Sequence, residues 1–263
     1  MTLHLPFHER YEARSSPLHR ADARVKLVAT VAYIFAVTLT PFGAWTALLL
    51  LAAPLVPAAA ASRLSPWLVL RRSMLALPFV LAAVPLAFTR EGPAVFSVPL
   101  LGWDASETGL TAVATILAKS WLSVTAAVLL TASTPAVELI RALRALRVPR
   151  LLVATVQVMY RHIFVIGEEA ARLTRARDSR SGARPGYRSG GTLWWRARVL
   201  GNMVGSLFLR SYERSERVYA AMLARGYDGE PRLLDRPAVR LAEAAAAALL
   251  VAYALGVQWY ARA

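Results

Sequence analysis

The sequence contains no cysteine and only 16 acidic residues among 263. The missing thiol excludes a disulfide scaffold, an iron–sulfur site, a thiolate zinc site and a cysteine nucleophile. No G-x-x-x-x-G-K-[ST] segment occurs, so the chain lacks the P-loop that ATP hydrolysis would need. The four histidines and the few carboxylates form no acid–base pair or metal cluster inside an apolar run. We therefore expect no catalytic residue, no cofactor and no metal site in this chain.

The hydrophobic content and the net charge of the chain point to different classes of protein. The chain is 57% hydrophobic, yet its formal net charge is +15. An ordinary soluble domain is about half apolar and about a quarter charged, and its charges are more balanced. The composition favours either a membrane protein with a basic cytoplasmic face or a nucleic-acid binder with an unusually apolar core.

The apolar residues are concentrated in five runs, which favours the membrane protein. The runs are 25–39, 44–61, 73–89, 109–136 and 238–261. Most are near the length that a helix needs to cross a hydrocarbon core about 30 Å thick. The first 24 residues contain no apolar segment, so we expect no signal peptide. The prediction is an all-α polytopic membrane protein with about five transmembrane helices.

The charges of the connecting segments alternate along the chain. Arginines dominate the segment before the first run and the one between the second and third, whereas Glu91, Asp104 and Glu107 outweigh Arg90 in the next. The positive-inside rule then makes residues 1–24 a cytoplasmic amino-terminal segment. Residues 25–134 hold transmembrane helices 1–4, residues 135–235 form a cytoplasmic helical module, and residues 236–263 hold the carboxy-terminal transmembrane helix. The predicted location is the cell membrane, with multiple spans.

The 135–235 module carries most of the net charge. Between Glu138 and Arg240 there are 20 basic and 9 acidic residues. Helical spacing of apolar residues predicts three amphipathic helices, at about 135–147, 150–177 and 193–223. The two long ones end in polar turns in which one arginine has small neighbours. These turns are Ser179-Arg180-Ser181 and Ala224-Arg225-Gly226.

Either arginine alone has an ordinary structural explanation. A helix carboxy terminus carries partial negative charge and favours a cation. Two arginines at matching positions on two long helices suggest more, because a guanidinium offers a planar fork to a carboxylate and small neighbours allow close backbone approach. We therefore interpret the two arginines as docking residues that fit two binding sites on a dimeric soluble partner.

Four segments resemble one family of transporter subunits. They are 18–27, 142–149, 160–170 and 208–229, and the likeness extends over about 15–235. The most specific is Glu216-Arg217-Val218-Tyr219-Ala220-Ala221-Met222-Leu223-Ala224-Arg225-Gly226-Tyr227. With these segments the chain resembles the transmembrane T component of energy-coupling factor (ECF) transporters, of the cobalt/nickel-type Q subunit class.

The resemblance implies a non-catalytic subunit of an ATP-driven importer. Such a subunit joins two ABC-type ATPases to a substrate-binding membrane subunit (the S component, CbiM-like), and small–Arg–small motifs dock in grooves on the ATPases. Carried over, ATPase docking falls to Ser179, Arg180, Ser181, Ala224, Arg225 and Gly226, with Ala176-Arg177-Asp178 as a competing register for the first motif. ATP would bind the ATPases, and Co²⁺ or Ni²⁺ would bind the S component.

Two other functions compete with this interpretation. An integral-membrane enzyme acting on an anionic lipid would use the basic module to hold the headgroup. A membrane-tethered nucleic-acid binder would need stacking aromatics across that module, and only Trp194-Trp195 offers any. We expect the lipid bilayer as a partner and no nucleic acid.

Overall fold

A computed structural model describes residues 12, 16–74, 78, 82–89, 93–98, 103–180, 192–229 and 240–262. The chain divides into two compact units, one built from 147–236 and the other from 9–146 with 237–263. The larger unit contains α1 (Pro17–Arg20), α2 (Ala23–Leu39), α3 (Trp45–Ala52), α4 (Leu55–Ser62), α5 (Pro66–Ser73), α6 (Leu86–Thr89), β1 (Ala94–Val98), β2 (Trp103–Ser106), α7 (Glu107–Ser133), α8 (Ala136–Ala145) and α11 (Leu241–Tyr260). The smaller unit contains α9 (Arg150–Arg180) and α10 (Leu193–Ala224).

The predicted helical class is confirmed, and the chain is a multi-pass membrane protein. Among the described residues, four helices are long and apolar enough to cross a membrane: Trp45–Ser62, α7, α9 and α11. Three of them match the predicted second, fourth and fifth runs. The first run is α2, with 17 residues, and the third run lies partly outside the described residues. The selection of α9 was not expected, and it reflects the apolar first half of that helix.

The segment before α7 adds a short hairpin that the helical prediction did not include. Strands β1 and β2 pair antiparallel, with Val98 opposite Trp103 and Ala94 opposite Ser106. Ser106 then ends the hairpin and caps α7, because its hydroxyl accepts a hydrogen bond from the Gly109 amide at 3.0 Å. The hairpin thus leads directly into the longest helix of the larger unit.

Side-chain contacts define how the helices of the larger unit run relative to one another. At one end, the Asp22 amide before α2 donates to Glu243 on the first turn of α11 at 2.8 Å. At the other end, the Gln258 amide donates to Thr40 Oγ1 at 2.7 Å. Helices α2 and α11 are therefore parallel, as the predicted alternation of membrane crossings requires.

The two lysines of the chain both neutralise helix carboxy termini. Lys26 on α2 is buried and donates to the Leu18 carbonyl of α1 at 3.2 Å and to the Ser133 carbonyl of α7 at 3.3 Å. Lys119 on α7 donates to the Thr38 and Thr40 carbonyls at the end of α2. Both lysines place positive charge where the helix dipole is negative. Because Lys26 near the start of α2 contacts the end of α7, and Lys119 of α7 contacts the end of α2, these two helices are antiparallel.

Alanines, aliphatic side chains and Tyr33 form the core of the larger unit around α2 and α3, and Tyr253 lies at its exposed edge. Tyr33 on α2 donates to the Leu51 carbonyl at 2.7 Å, and Tyr253 on α11 donates to the Leu50 carbonyl at 2.8 Å. The Leu50 carbonyl lies four residues before Pro54, which has no amide to donate to it, and the Leu51 carbonyl lies at the same break between α3 and α4. The tyrosines therefore satisfy backbone groups where α3 is interrupted before α4.

Gly109 is the position in the described structure where added volume has the clearest steric effect. A Cβ built on Gly109 would lie 2.7 Å from the Ala87 and Leu86 carbonyl oxygens of α6. We expect Gly109→Leu to lower the free energy of unfolding by about 3 kcal/mol, because two backbones must separate. Chemical denaturation in detergent micelles measures this. Gly256→Leu on α11, where the space is open, is the control, and equal losses in both variants would contradict the prediction.

Candidate docking site at the ends of the two long helices

Helices α9 and α10 of the smaller unit are the two longest helices in the described structure. They have 31 and 32 residues, which corresponds to about 47 and 48 Å. Helix α9 continues three residues past its predicted end, so Arg180 is its last residue. Helix α10 ends at Ala224, and Arg225 is the capping residue that follows.

The Ala224-Arg225-Gly226 segment has the backbone geometry of a Schellman motif. The Gly226 amide donates to the Leu223 carbonyl at 2.9 Å, and the Tyr227 amide donates to the Met222 carbonyl at 3.0 Å. Gly226 has φ of +79°, a left-handed conformation that an L side chain strains. The glycine is therefore explained by the turn itself, and the turn holds Arg225 at a defined place one residue past the helix.

Arg225 is exposed at that turn. Within the part of the chain that the structure describes, its side chain makes no ion pair or hydrogen bond. The neighbouring Ala224 and Gly226 are also exposed, and no atom lies within 4 Å of a Cβ built on Gly226. The arginine thus offers its five donors to an incoming group, and no bulky side chain of this segment stands beside it.

The end of α9 distinguishes the two candidate arginines of the first motif. Arg177 is held by its neighbour, since its Nη2 and Nε lie 2.6 and 3.0 Å from Asp178 Oδ1. Arg180 is exposed and, among the described residues, has no carboxylate partner. The Ser179 hydroxyl donates to the Ala176 carbonyl at 2.9 Å, so its hydrogen bond is made within α9. Ser181, the third residue of the predicted motif, lies outside the described residues.

A three-way ion pair joins α9 to α10. Glu169 Oε1 lies 2.8 Å from Arg210 Nη1 on α10, and its Oε2 lies 2.5 Å from Arg172 Nη2 one turn along α9. The sequence places Arg161, Arg172 and Arg175 within helical reach of Glu168 and Glu169, which predicts a solvated or paired helix face. It does not predict Arg210, because that partner is 41 positions away and only packing brings it close.

Helix α10 has no buried residue along its 32 positions. Large apolar side chains nevertheless recur on it, which is unusual for a helix facing water. Those with at least 60% exposure are Leu193, Trp194, Val204, Phe208 and Leu209. An apolar surface of this kind is suited to lipid or to another protein.

The described residues contain no group of three or more histidine, aspartate or glutamate side chains placed to hold a metal ion. Each of the two described helix ends presents one exposed guanidinium group, that of Arg180 at the end of α9 and that of Arg225 on the turn after α10. The Glu169–Arg210 ion pair joins the two helices. Such an arrangement can bind carboxylates, and the ion pair can carry force between the two helices.

Gly226 permits a local test of the turn. We expect Gly226→Val to speed hydrogen exchange of the Tyr227 amide about tenfold, because a β-branched residue in the left-handed region costs about 1–2 kcal/mol and opens the Schellman bonds. Hydrogen–deuterium exchange with fragment resolution measures this. Gly205→Val in the middle of α10, where a Cβ meets nothing, should leave the Tyr227 amide unchanged. Unchanged exchange in Gly226→Val would show that the turn does not need glycine.

Comparison with known proteins identifies relatives over most of the chain. A family model described as the cobalt transport protein CbiQ matches residues 14–234. The energy-coupling factor transporter transmembrane protein EcfT of Exiguobacterium sibiricum is 30% identical over 226 residues, 82% of each chain. The cobalt transport protein CbiQ of Rhodobacter capsulatus is 30% identical over 160 residues, 60% of this chain and 63% of that one.

A third relative is larger than this chain. The putative fused cobalt transport protein CbiMQ of Methanocorpusculum labreanum is 28% identical over 225 residues, which are 82% of this chain and 36% of the fused protein. In this relative and in the Rhodobacter protein, the matched segment spans less than two thirds of the relative's own length.

Proposed function

Because the chain belongs to the CbiQ family of cobalt transport proteins, we propose that it is the membrane coupling subunit of an ECF-type importer. In this role it joins two cytoplasmic ABC-type ATPases to a substrate-binding membrane subunit and transmits their movement. It contributes no catalytic residue. ATP is bound by the ATPases, and the transported ion is bound by the substrate-binding subunit.

The observation that best supports the proposal is that Arg225 is exposed on a turn of defined geometry. A buried or paired arginine at a helix end would be explained by the helix dipole alone. Arg225 is exposed on a turn whose geometry its glycine neighbour secures, and it has no partner in the described structure. A carboxylate in a groove of an ATPase would satisfy it with charge-assisted hydrogen bonds.

The end of α9 supports Arg180 as the second docking residue. The competing Arg177 already has its guanidinium occupied by Asp178, so docking through it would first require that pair to open. Arg180 faces no such competition among the described residues. We assign the first docking segment to Ser179-Arg180-Ser181 and the second to Ala224-Arg225-Gly226.

The cross-link behind the two ends suits transmission of force. Glu169 lies 11 residues, about 17 Å, from Arg180, and Arg210 lies 15 residues, about 22 Å, from Arg225. An ion pair there resists sliding of α9 past α10, so a displacement of either docking segment is shared by both helices. The proposed importer requires that α9 and α10 move together in this way.

The exposed apolar side chains of α10 support a membrane-protein partner. In the proposed assembly they contact the substrate-binding subunit and lipid, with Trp194 and Trp195 at the membrane surface. The fused relative, whose name joins CbiM and CbiQ, supports a CbiM-like partner for this chain. The names of the relatives favour cobalt as the transported ion, with nickel as the alternative.

The proposed orientation places the amino terminus and residues 135–235 in the cytoplasm. Basic residues concentrate in these segments, as the positive-inside rule requires. The docking segments then lie on the side where ATP is available.

Affinity purification of the tagged chain from its native membrane tests the proposal. We expect two ABC-type ATPase subunits and a small membrane protein to co-elute with it. Vesicles holding the purified complex should take up Co²⁺ only when ATP is supplied on the ATPase side. Uptake of Ni²⁺ in preference to Co²⁺ would change the assigned ion, and elution without any ATPase would refute the coupling role.

A further inference from the structure

A groove of about 300 Å³ lies between α2 and α11 in the larger unit. Its lining is apolar, for example Ala32, Leu39 and Leu255, except for Gln258 and Arg262. Leu39 and Leu255 are 57% and 63% exposed, so the groove opens on the outer surface of the bundle. The two polar residues are close in sequence at the end of α11, so the polar groups are confined to one end of the groove.

That end of the groove lies at the level of a membrane interface. Helix α11 has 20 residues, about 30 Å, which equals the thickness of a hydrocarbon core. Arg262 lies two residues beyond it and is exposed, with a single weak hydrogen bond to the Leu39 carbonyl at 3.5 Å. Most of its five donors therefore remain for a phosphate of the headgroup layer.

Gln258 provides a second and independent indication of a ligand. It is 7% exposed, and its Nε2 donates to the Ala36 carbonyl and to Thr40 Oγ1. If the Gln258 side-chain amide were rotated by 180°, its Oε1 would face the Ala36 carbonyl oxygen, and two acceptors would repel each other. The orientation of the amide is therefore determined. Its Oε1 is left with no hydrogen-bond partner in the described structure. An unsatisfied acceptor in a membrane is unfavourable, so this oxygen requires a donor.

The shape of the groove limits what can supply that donor. A transmembrane helix is about 10–12 Å across with its side chains, too wide for a cleft of this volume. Part of an acyl chain fits an apolar groove of this volume, and its headgroup would then lie beside Arg262. Only a headgroup with N–H or O–H groups near its phosphate can serve both polar residues.

We propose that this groove binds one phospholipid whose headgroup carries hydrogen-bond donors, such as phosphatidylethanolamine. The acyl chain lies between α2 and α11, the phosphate binds Arg262, and an N–H or O–H of the headgroup reaches Gln258 Oε1 with a small adjustment of the groove wall. Phosphatidylcholine has the phosphate but no donor, so the site discriminates against it.

Native mass spectrometry of the purified full chain tests this with three lipids of identical acyl chains. Phosphatidylethanolamine and phosphatidylglycerol should bind about tenfold more tightly than phosphatidylcholine. Arg262→Gln should weaken all three about tenfold, and Gln258→Leu should remove the preference while binding persists. Equal binding of the three lipids to the unaltered chain would overturn the proposal, because it would indicate annular lipid only.

Filling the groove gives a matched pair of variants. Ala32→Phe places a ring in the groove and should abolish retention of the lipid, whereas Ala252→Phe on the exposed surface of α11 outside the groove should not. Equal retention in both would overturn the site even if Arg262→Gln has an effect. Because the chain has no cysteine, Ala32→Cys can also carry a photoreactive label. Labelling of lipid is expected, and labelling of a protein in its place would identify a different occupant.

Discussion

Arg225→Glu is expected to abolish association of the chain with its ATPase partners. The variant replaces a donor fork by a carboxylate at the centre of the proposed contact, so attraction becomes repulsion. Removal of a charged interfacial anchor typically costs 2–5 kcal/mol, and reversal of its charge adds like-charge repulsion. We expect affinity to fall by more than 100-fold, measured by co-purification and by binding of the isolated ATPases to the chain in nanodiscs.

The effect should depend on position and not on charge alone. Arg217→Glu makes the same change within α10, two turns before Arg225, at a residue that is exposed and weakly paired with Glu213 at 3.9 Å. This control should retain the ATPases. Arg180→Glu should weaken binding, and Arg177→Glu should do so less, because Arg177 is already neutralised by Asp178. Retention of both ATPases by the Arg180→Glu/Arg225→Glu double variant would refute the docking assignment.

Lys26→Met is expected to be the most destabilising change at a polar residue of the larger unit. It removes the ammonium that binds the Leu18 and Ser133 carbonyls at two helix ends. Burial disfavours the charge of Lys26, and the nearby carboxylates of Glu138, Asp22 and Glu243 offset part of that cost. We expect a loss of about 3 kcal/mol in the free energy of unfolding, because two carbonyls at helix ends lose their charged donor together.

Lys119→Met is the matched control for Lys26. It removes the other lysine, which also binds carbonyls at a helix end, but at a partly exposed position where water or headgroups can substitute. Its loss should be smaller than that of Lys26→Met when both are measured by denaturation in mixed micelles. Equal stability of Lys26→Met and the unaltered chain would show that the contacts of Lys26 contribute nothing net.

The residues that the sequence alone identifies are those whose role is local. Apolar runs long enough to span a membrane, the concentration of arginine in 135–235 and the Ala224-Arg225-Gly226 segment are all visible without a structure. Each depends on neighbours within a turn or two of helix, so spacing and composition are sufficient. The hairpin before α7 was missed because its two strands are short and lie in a segment without clear alternation.

Tertiary structure decided the long-range contacts and the choice between local alternatives. Arg210 becomes the partner of Glu169 only when α9 and α10 pack, and Lys26 reaches Ser133 only because α2 and α7 are antiparallel. The pairing of Arg177 with Asp178 depends on a rotamer that a residue pattern cannot specify. The sequence by itself therefore determined what kind of protein this is and predicted where its docking segments lie. Only packing determined which charges are already satisfied, since that depends on residues that folding brings together from distant parts of the chain.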